Sequence, residues 1–307
     1  MIHRLQNRIA ESRVALPWTT VFCLIIWLIG GTIEKGLWLQ FFLLGLSTLM
    51  MMALNKVNAL IRIYSRMVSC SYIVMCTMAV YLYDSLQASV VSLSLIVFYF
   101  ALFHAYQDKR AVGWVFYAFV SLSVGSIFFV QLLYFIPLMW MLLATNVLAF
   151  SVRTFFSSIL GTLLPYWFLG AYCLWTNETQ ELVHHFTRLV TNEGLFCYNS
   201  IDIHRWVTIA IVAALALTGI IHFLRNSFRD KIRTRMIYEM FIVVDIAIFI
   251  AMVIFPGYAD PLLAMLIATT APLIGHYLAL THTRLTNISF FVIIIITLLT
   301  TCYNLWM

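Results

Sequence analysis

Residues 111–150 read AVGWVFYAFVSLSVGSIFFVQLLYFIPLMWMLLATNVLAF, forty positions without a charged side chain. At about 1.5 Å per residue, one helix of that length is roughly twice as long as the hydrocarbon core of a bilayer is thick. The run is therefore expected to form two spans, broken between Gly125 and Gln131. Working outward, apolar runs of about bilayer length recur on both sides, separated by short polar steps. Those before it cover 16–33, 37–54, 67–82 and 88–106; those after it cover 155–174, 206–224, 236–255, 261–280 and 288–306. The pattern predicts an all-α, polytopic transmembrane helix bundle of about eleven spans, a single integral membrane domain over residues 1–307. Arg4, Arg8 and Arg13 precede the first run in the manner of a signal sequence. That run is long, shows no small-residue cleavage site and is followed by another span, so it is read as an uncleaved first helix.

Composition agrees. Of 307 residues, 63% are hydrophobic and 10% charged, with a mean hydropathy of +0.97, whereas soluble domains carry about 25% charged residues. The net charge of +6 does not imply a nucleic-acid partner, because membrane orientation places basic residues on loops between apolar runs. Eleven spans with the N-terminus inside put fifteen of the eighteen Lys and Arg residues on the inner side, leaving Lys35, Arg188 and Arg205 outside. Treating 111–150 as one span inverts everything after it and leaves ten against eight, so charge supports the break, an inner N-terminus and an outer C-terminus. Trp38, Trp175, Trp206 and Trp306 then fall at outer span ends, where interfacial anchors belong. The lipid bilayer is the first expected partner.

The six cysteines, Cys23, Cys70, Cys76, Cys173, Cys197 and Cys302, are scattered without ligand spacing and are read as packing residues. A Cys173 to Cys197 disulfide stays open. Neither a metal nor a cofactor is predicted.

Two constellations could carry chemistry. A charged side chain at mid-bilayer costs at least about 2.5 kcal/mol, and Asp245 sits halfway along its apolar run. Counting from span midpoints puts Thr269 and Thr270 at its depth, and His276 and His222 near the depth of Glu239. A carboxylate and two imidazoles at one level could relay protons; alternatively Asp245 is held by hydroxyls and Glu239 pairs with Arg235 one turn earlier. The second constellation is the outer loop, about 176–205, with Glu178, Glu181, His184, His185, Arg188, Glu193, Asp202, His204 and Arg205. As a helix its first half puts Glu181, His185 and Arg188 on one face, with Leu182, Phe186 and Leu189 expected to turn toward lipid. Arg and His there could grip a phosphate or pyrophosphate head group; the plainer alternative is a solvated amphipathic segment. Pro137, Pro165 and Pro272 are expected to kink their spans, and Gly161 and Gly275 to mark close packing.

The loop QDKRAVGW, the hairpin through VGSIFFVQLLYFIPLMW, Ser151-Val152-Arg153, Gly161, Leu164-Pro165-Tyr166, Ala271-Pro272-Leu273 and His276-Tyr277 together resemble an uncharacterised family of bacterial polytopic inner-membrane proteins, found mainly in Bacteroidota. The resemblance covers roughly 105–173 and 262–306. It implies a bacterial inner (cytoplasmic) membrane location and supplies no catalytic residue. Walker, G-x-S-x-G, H-E-x-x-H and G-x-G-x-x-G signatures are absent. Three function classes follow. The first is a noncatalytic component supporting envelope assembly, with another membrane protein as partner. The second is a proton-coupled transporter or lipid flippase using Asp245, Glu239, His222 and His276. The third is an outer-face enzyme acting on lipid-linked glycans through the 176–205 loop.

Overall fold

The computed structural model describes residues 4–191, 195, 196, 198 and 201–307. Glu193 and Cys197 lie outside the described residues, and with Cys197 the proposed pairing to Cys173. Thirteen α-helices follow one another, with short 3-10 turns and no strand among the described residues. They are α1 (Leu5–Ala10), α2 (Ala15–Ile29), α3 (Trp38–Asn58), α4 (Met67–Met78), α5 (Leu86–His104), α6 (Val112–Phe128), α7 (Ile136–Thr145), α8 (Val152–Trp175), α9 (Thr179–Val190), α10 (Ile203–Asn226), α11 (Ile232–Ile254), α12 (Ala259–Leu280) and α13 (Arg284–Trp306).

Among the described residues seven helices are long and apolar enough to cross a membrane: α3, α5, α8, α10, α11, α12 and α13. The shorter apolar helices are α2, α4, α6 and the stretch Val130–Thr145. In the uncharged run, α6 ends at Phe128 and Phe129 leaves helical geometry at φ −135° and ψ 90°. A 3-10 turn over Val130–Phe135 then leads into α7. Pro137 opens α7 instead of kinking its middle, because a first-turn proline has no helical hydrogen bond to lose. Pro165 and Pro272 do lie within α8 and α12. Ser151 and Thr154 form a capping box that starts α8, and Thr283 with Thr286 does the same for α13.

Helix α12 is the axis of the bundle. Of its residues only Asp260 and Tyr277 reach the surface in part, and α4, α5, α10 and α11 pack around it. Two glycines set the spacing. A Cβ on Gly275 would lie 2.9 Å from the Cα and N of Val68 in α4, and one on Gly219 of α10 would lie 2.9 Å from Cβ of Leu273. Gly161 repeats the device between α8 and α6, where a Cβ would stand 2.6 Å from the carbonyl oxygen of Phe116. Helices in lipid associate by close packing, since the hydrophobic effect gives no drive between them there. Small residues at these crossings are the physical reason the bundle closes.

Contacts sort the connecting segments into two ends. At one end Arg4 donates to the carbonyl of His282 (2.7 Å), Arg62 faces Asp230 (4.0 Å) and Arg233 donates to Asn58 and to the carbonyl of Phe103 (2.9 Å each). Gln107 N bonds Val147 O (2.8 Å), Ser151 bonds Lys109 O (3.0 Å) and Asn146 bonds Met236 O (3.2 Å) at the same end. At the opposite end Lys35 pairs with Asp84 (2.8 Å), Arg205 with Asp260 (2.9 Å), and Phe196 N bonds Ile254 O (3.1 Å). The segments gathered at the first end carry the Lys and Arg residues other than Lys35, Arg188 and Arg205. Trp38, Trp175 and Trp306, at the second, are largely exposed.

The glycine crossings give a direct test. Gly275→Leu is expected to lower the yield of folded, monodisperse protein at least about tenfold, an over-packing effect at a backbone contact. Gly45→Leu, at a helical glycine with open space around it, is expected to leave the yield in detergent unchanged. Equal yields from the two variants would contradict the packing assignment.

Candidate functional site

Three polar constellations lie along the bundle, one at mid-depth and one at each end. At mid-depth Asp245 of α11 is fully buried. The hydroxyl of Thr269 donates to one carboxylate oxygen, and that of Thr270 to the other at 3.2 Å. Successive residues on α12 point about 100° apart, so a single threonine could not reach both oxygens while the Thr-Thr pair brackets them. Thr269 also lies 3.1 Å from the carbonyls of Met265 and Leu266, which ties the bracket to the α12 backbone.

Glu239 is not part of this group or of the imidazole pair. It is exposed, and the contact it makes is with Asn146 Nδ2 at 3.5 Å. The expected pairing with Arg235 does not form: among the described residues no ion pair joins them. Asn146, placed beside α11 by the fold of the α7 terminus, meets Glu239 instead.

The carboxylate that meets the imidazoles is Asp230, from the turn between α10 and α11. Its Oδ2 lies 3.0 Å from Nε2 of His276, both side chains being almost fully buried, and Arg62 approaches its other oxygen at 4.0 Å. His222 on α10 stands 5.6 Å, ring to ring, from His276. Tyr238, Phe223 and Tyr277 wall the pair with aromatic edges. Nδ1 of His276 and Nε2 of His222 are buried and have no protein partner among the described residues. The cluster ties the α10–α11 turn to α12 and to the segment before α4. Asp230 was legible as an acid inside a loop of five basic residues; chain order gave no sign that it turns inward.

At the opposite end the outer-loop candidates divide into two groups. Arg205 and His204 belong to the start of α10. Arg205 Nη1 lies 2.9 Å from both oxygens of Asp260, its Nε 3.8 Å from Asp202, and its guanidinium 5.1 Å above the Tyr81 ring. The His204 ring meets the same Tyr81 ring edge-on, with centroids 5.4 Å apart. These residues clamp α10 to α12 and to the turn before α5. Asp260 and Tyr81 were not singled out from sequence, and Asp260 in the first turn of a span was the available signal.

The second group is on α9. Glu181, His184, His185 and Arg188 line a cavity of about 180 Å³ together with Ile127, Leu169 and Cys173. The expectation that this apolar face turns to lipid is corrected for Leu182 and Phe186, whose side chains meet α8. Leu182 lies beside Gly170 of α8, Phe186 tilts on Tyr166 at 5.1 Å, and Tyr134 donates to the Leu189 carbonyl. The apolar face of α9 is used to cover the C-terminal end of α8 and the 3-10 turn, a protein surface that would otherwise stay open. Tyr166 Oη stands 2.7 Å from Ser126 Oγ and 3.3 Å from His185 Nε2. Burial, and secondarily the charge of Arg188, pushes the His185 pKa below its ordinary 6.5. His185, Arg188 and Glu181 together make a polar pocket of mixed side-chain chemistry. Among the described residues no group of three or more His, Cys, Asp or Glu side chains converges as a metal site.

Comparison of the chain with protein-family models, with curated proteins and with solved structures found no match.

His185 binds its proton less readily folded than unfolded, so its contribution to docking of α9 is intact above pH 6.5 and is lost as pH falls below that value. Hydrogen exchange over 179–190, corrected for intrinsic rates, is expected to show lower protection at pH 5.5 than at pH 7.5. In His185→Phe the difference is expected to shrink. Protection independent of pH in the wild type would contradict the assignment.

Proposed function

We propose that the chain is an eleven-span membrane protein, N-terminus in and C-terminus out, that serves as a noncatalytic component supporting assembly of the cell envelope. The span count is supported by the seven long and four shorter apolar segments and by the alternation of loop contacts between two ends of the bundle. Orientation is supported by the excess of basic residues at one end. Placement in a bacterial inner membrane rests on the resemblance carried by residues 105–173 and 262–306.

The observation that carries the noncatalytic reading is the closure of Asp245. A coupling carboxylate in a secondary transporter lies at the bilayer midplane between bodies that rock against each other and opens to water in turn. Here both oxygens are bracketed by hydroxyls of α12. That helix is fixed to α4 and α10 by contacts at Gly275 and Gly219 too close for any side chain. Such an arrangement supports a static scaffold over an alternating one. The partner would be another envelope protein docked on the broad exposed faces of α3, α8 and α13.

A second reading, an outer-face enzyme acting on lipid-linked glycans, draws on the cavity under α9, where Arg188, His184 and His185 could meet a phosphate group.

Proteoliposomes containing a pH-sensitive dye test the scaffold reading. Wild type and Asp245→Asn are expected to show the same proton flux as empty vesicles, and Asp245→Asn is expected to restore the phenotype of a deletion strain fully. Proton uptake by the wild type that Asp245→Asn abolishes at normal protein level would replace the scaffold with a transporter. Loss of complementation in Arg188→Ala at normal protein level would favour the enzyme.

A further inference from the structure

A groove of about 650 Å³ lies at the basic end of the bundle. Its floor is made by α4 and α12, through Met67, Cys70, Val74, Met75, Ile274 and Leu278. Trp18 of α2 and Ile294 of α13 form its two rims. Along α4 it runs from Met67 to Met75, which at 1.5 Å per residue is about 12 Å, close to the depth of one leaflet's hydrocarbon. Such a slot is sized for an extended acyl chain.

The mouth is built differently from the floor. Helix α1 lies across the end of the bundle and is latched there by polar contacts. Gln6 Nε2 donates to the carbonyl of Leu278 and to Thr281 Oγ1, both at 2.8 Å, and Asn7 Nδ2 to the carbonyl of Thr281 at 3.1 Å. That buries one face of α1 and turns Leu5, Arg8, Ile9 and Ser12 to the groove. Arg8 has no ion-pair partner among the described residues. Next to the mouth, Arg13 lies over the Tyr64 ring at 5.9 Å, and Arg66 Nε donates to the hydroxyl of the same Tyr64 at 3.2 Å. Arg13 adjoins Ser12 and Val14, and Arg66 adjoins Met67, all of which line the groove. Arg8 thus lines the opening and Arg13 and Arg66 adjoin it in the chain, with Glu11 the one acidic residue between positions 4 and 19.

We propose that this groove holds one anionic phospholipid of the leaflet on the basic side, an acyl chain along α4 and α13 and the phosphate at Arg8. The site is independent of the scaffold reading. Apolar walls alone would accept any lipid, since lipid tails and leucine side chains are equally apolar. The arginines supply the selectivity, at about 1 kcal/mol for each basic residue near the headgroup. A second groove of about 410 Å³ at the opposite end, lined by Tyr134, Leu138, Ile250 and Ile254, has no charged side chain in its wall among the described residues and serves as the control.

The test is native mass spectrometry of the full chain released from nanodiscs containing equal phosphatidylglycerol and phosphatidylcholine. Wild type is expected to retain one phosphatidylglycerol in preference to phosphatidylcholine. Arg8→Gln, which leaves the groove open, is expected to reduce that preference about fivefold. Val74→Trp, which fills the groove from a half-buried position, is expected to remove the retained lipid, while Ile250→Trp in the other groove leaves it. Melting temperatures in the same lipid confirm that each variant is folded. Equal retention of the two lipids by the wild type, or a preference unchanged in both Arg8→Gln and Val74→Trp, would overturn the proposal.

Discussion

The structure depends on one buried helix that cannot move without breaking contacts on several sides at once. Helix α12 approaches α4 at Gly275 and α10 at Gly219 so closely that no side chain fits between the backbones. In water such crossings add to a hydrophobic drive already present; in lipid they are the drive, because apolar surface is solvated equally well by tails and by neighbouring helices. The peripheral helices α3, α8 and α13 are mostly exposed and can take substitutions on their outward faces with less effect than at crossings such as Gly161. The crossing residues of α12 cannot.

The polar groups of the interior follow from that constraint. Three ionisable groups carried into the bundle are met by a partner on α12 or at its termini: Asp245 by Thr269 and Thr270, Asp230 by His276, Arg205 by Asp260. The helix with the least freedom to relax thus supplies the hydrogen bonds that need the most exact placement. Where solvent returns, at α1 and α9, short amphipathic helices close the ends, one latched by Gln6 and Asn7, the other by Tyr166 and Tyr134. Each contributes polar side chains to a pocket beside it: Arg8 and Ser12 in the first, Glu181, His184, His185 and Arg188 in the second.

Much of the architecture was legible in the chain because hydropathy and charge act along it. The helix boundaries follow the apolar runs to within a few residues, and the uncharged run breaks at Phe129, where bilayer thickness and the count of basic residues require a turn. Depth was legible as well: counting from span midpoints brought Thr269 and Thr270 level with Asp245. What lies around the circumference of a helix was not. Glu239 sat at the depth of the imidazoles but on an exposed face, and the acid that meets His276 arrives from a loop. On α9 the apolar stripe was plain in sequence, yet whether it covers lipid or α8 is decided by the surface left open beneath it. Arg205 in the same loop is absorbed by Asp260, a residue more than fifty positions away in the chain.

Eleven crossings with the basic end in the cytoplasm would put each loop on a defined side of the bilayer. Single cysteines placed in a variant lacking the six native ones, and treated with a membrane-impermeant thiol reagent, report that side loop by loop. Glu34→Cys, Glu178→Cys and Tyr258→Cys are expected to react in intact cells. Lys56→Cys, Lys109→Cys, Arg153→Cys and Arg229→Cys are expected to react only after the membrane is permeabilised. Reaction of Arg153→Cys or Arg229→Cys in intact cells would mean that the 111–150 run crosses once, and the account of the fold's sidedness would be wrong.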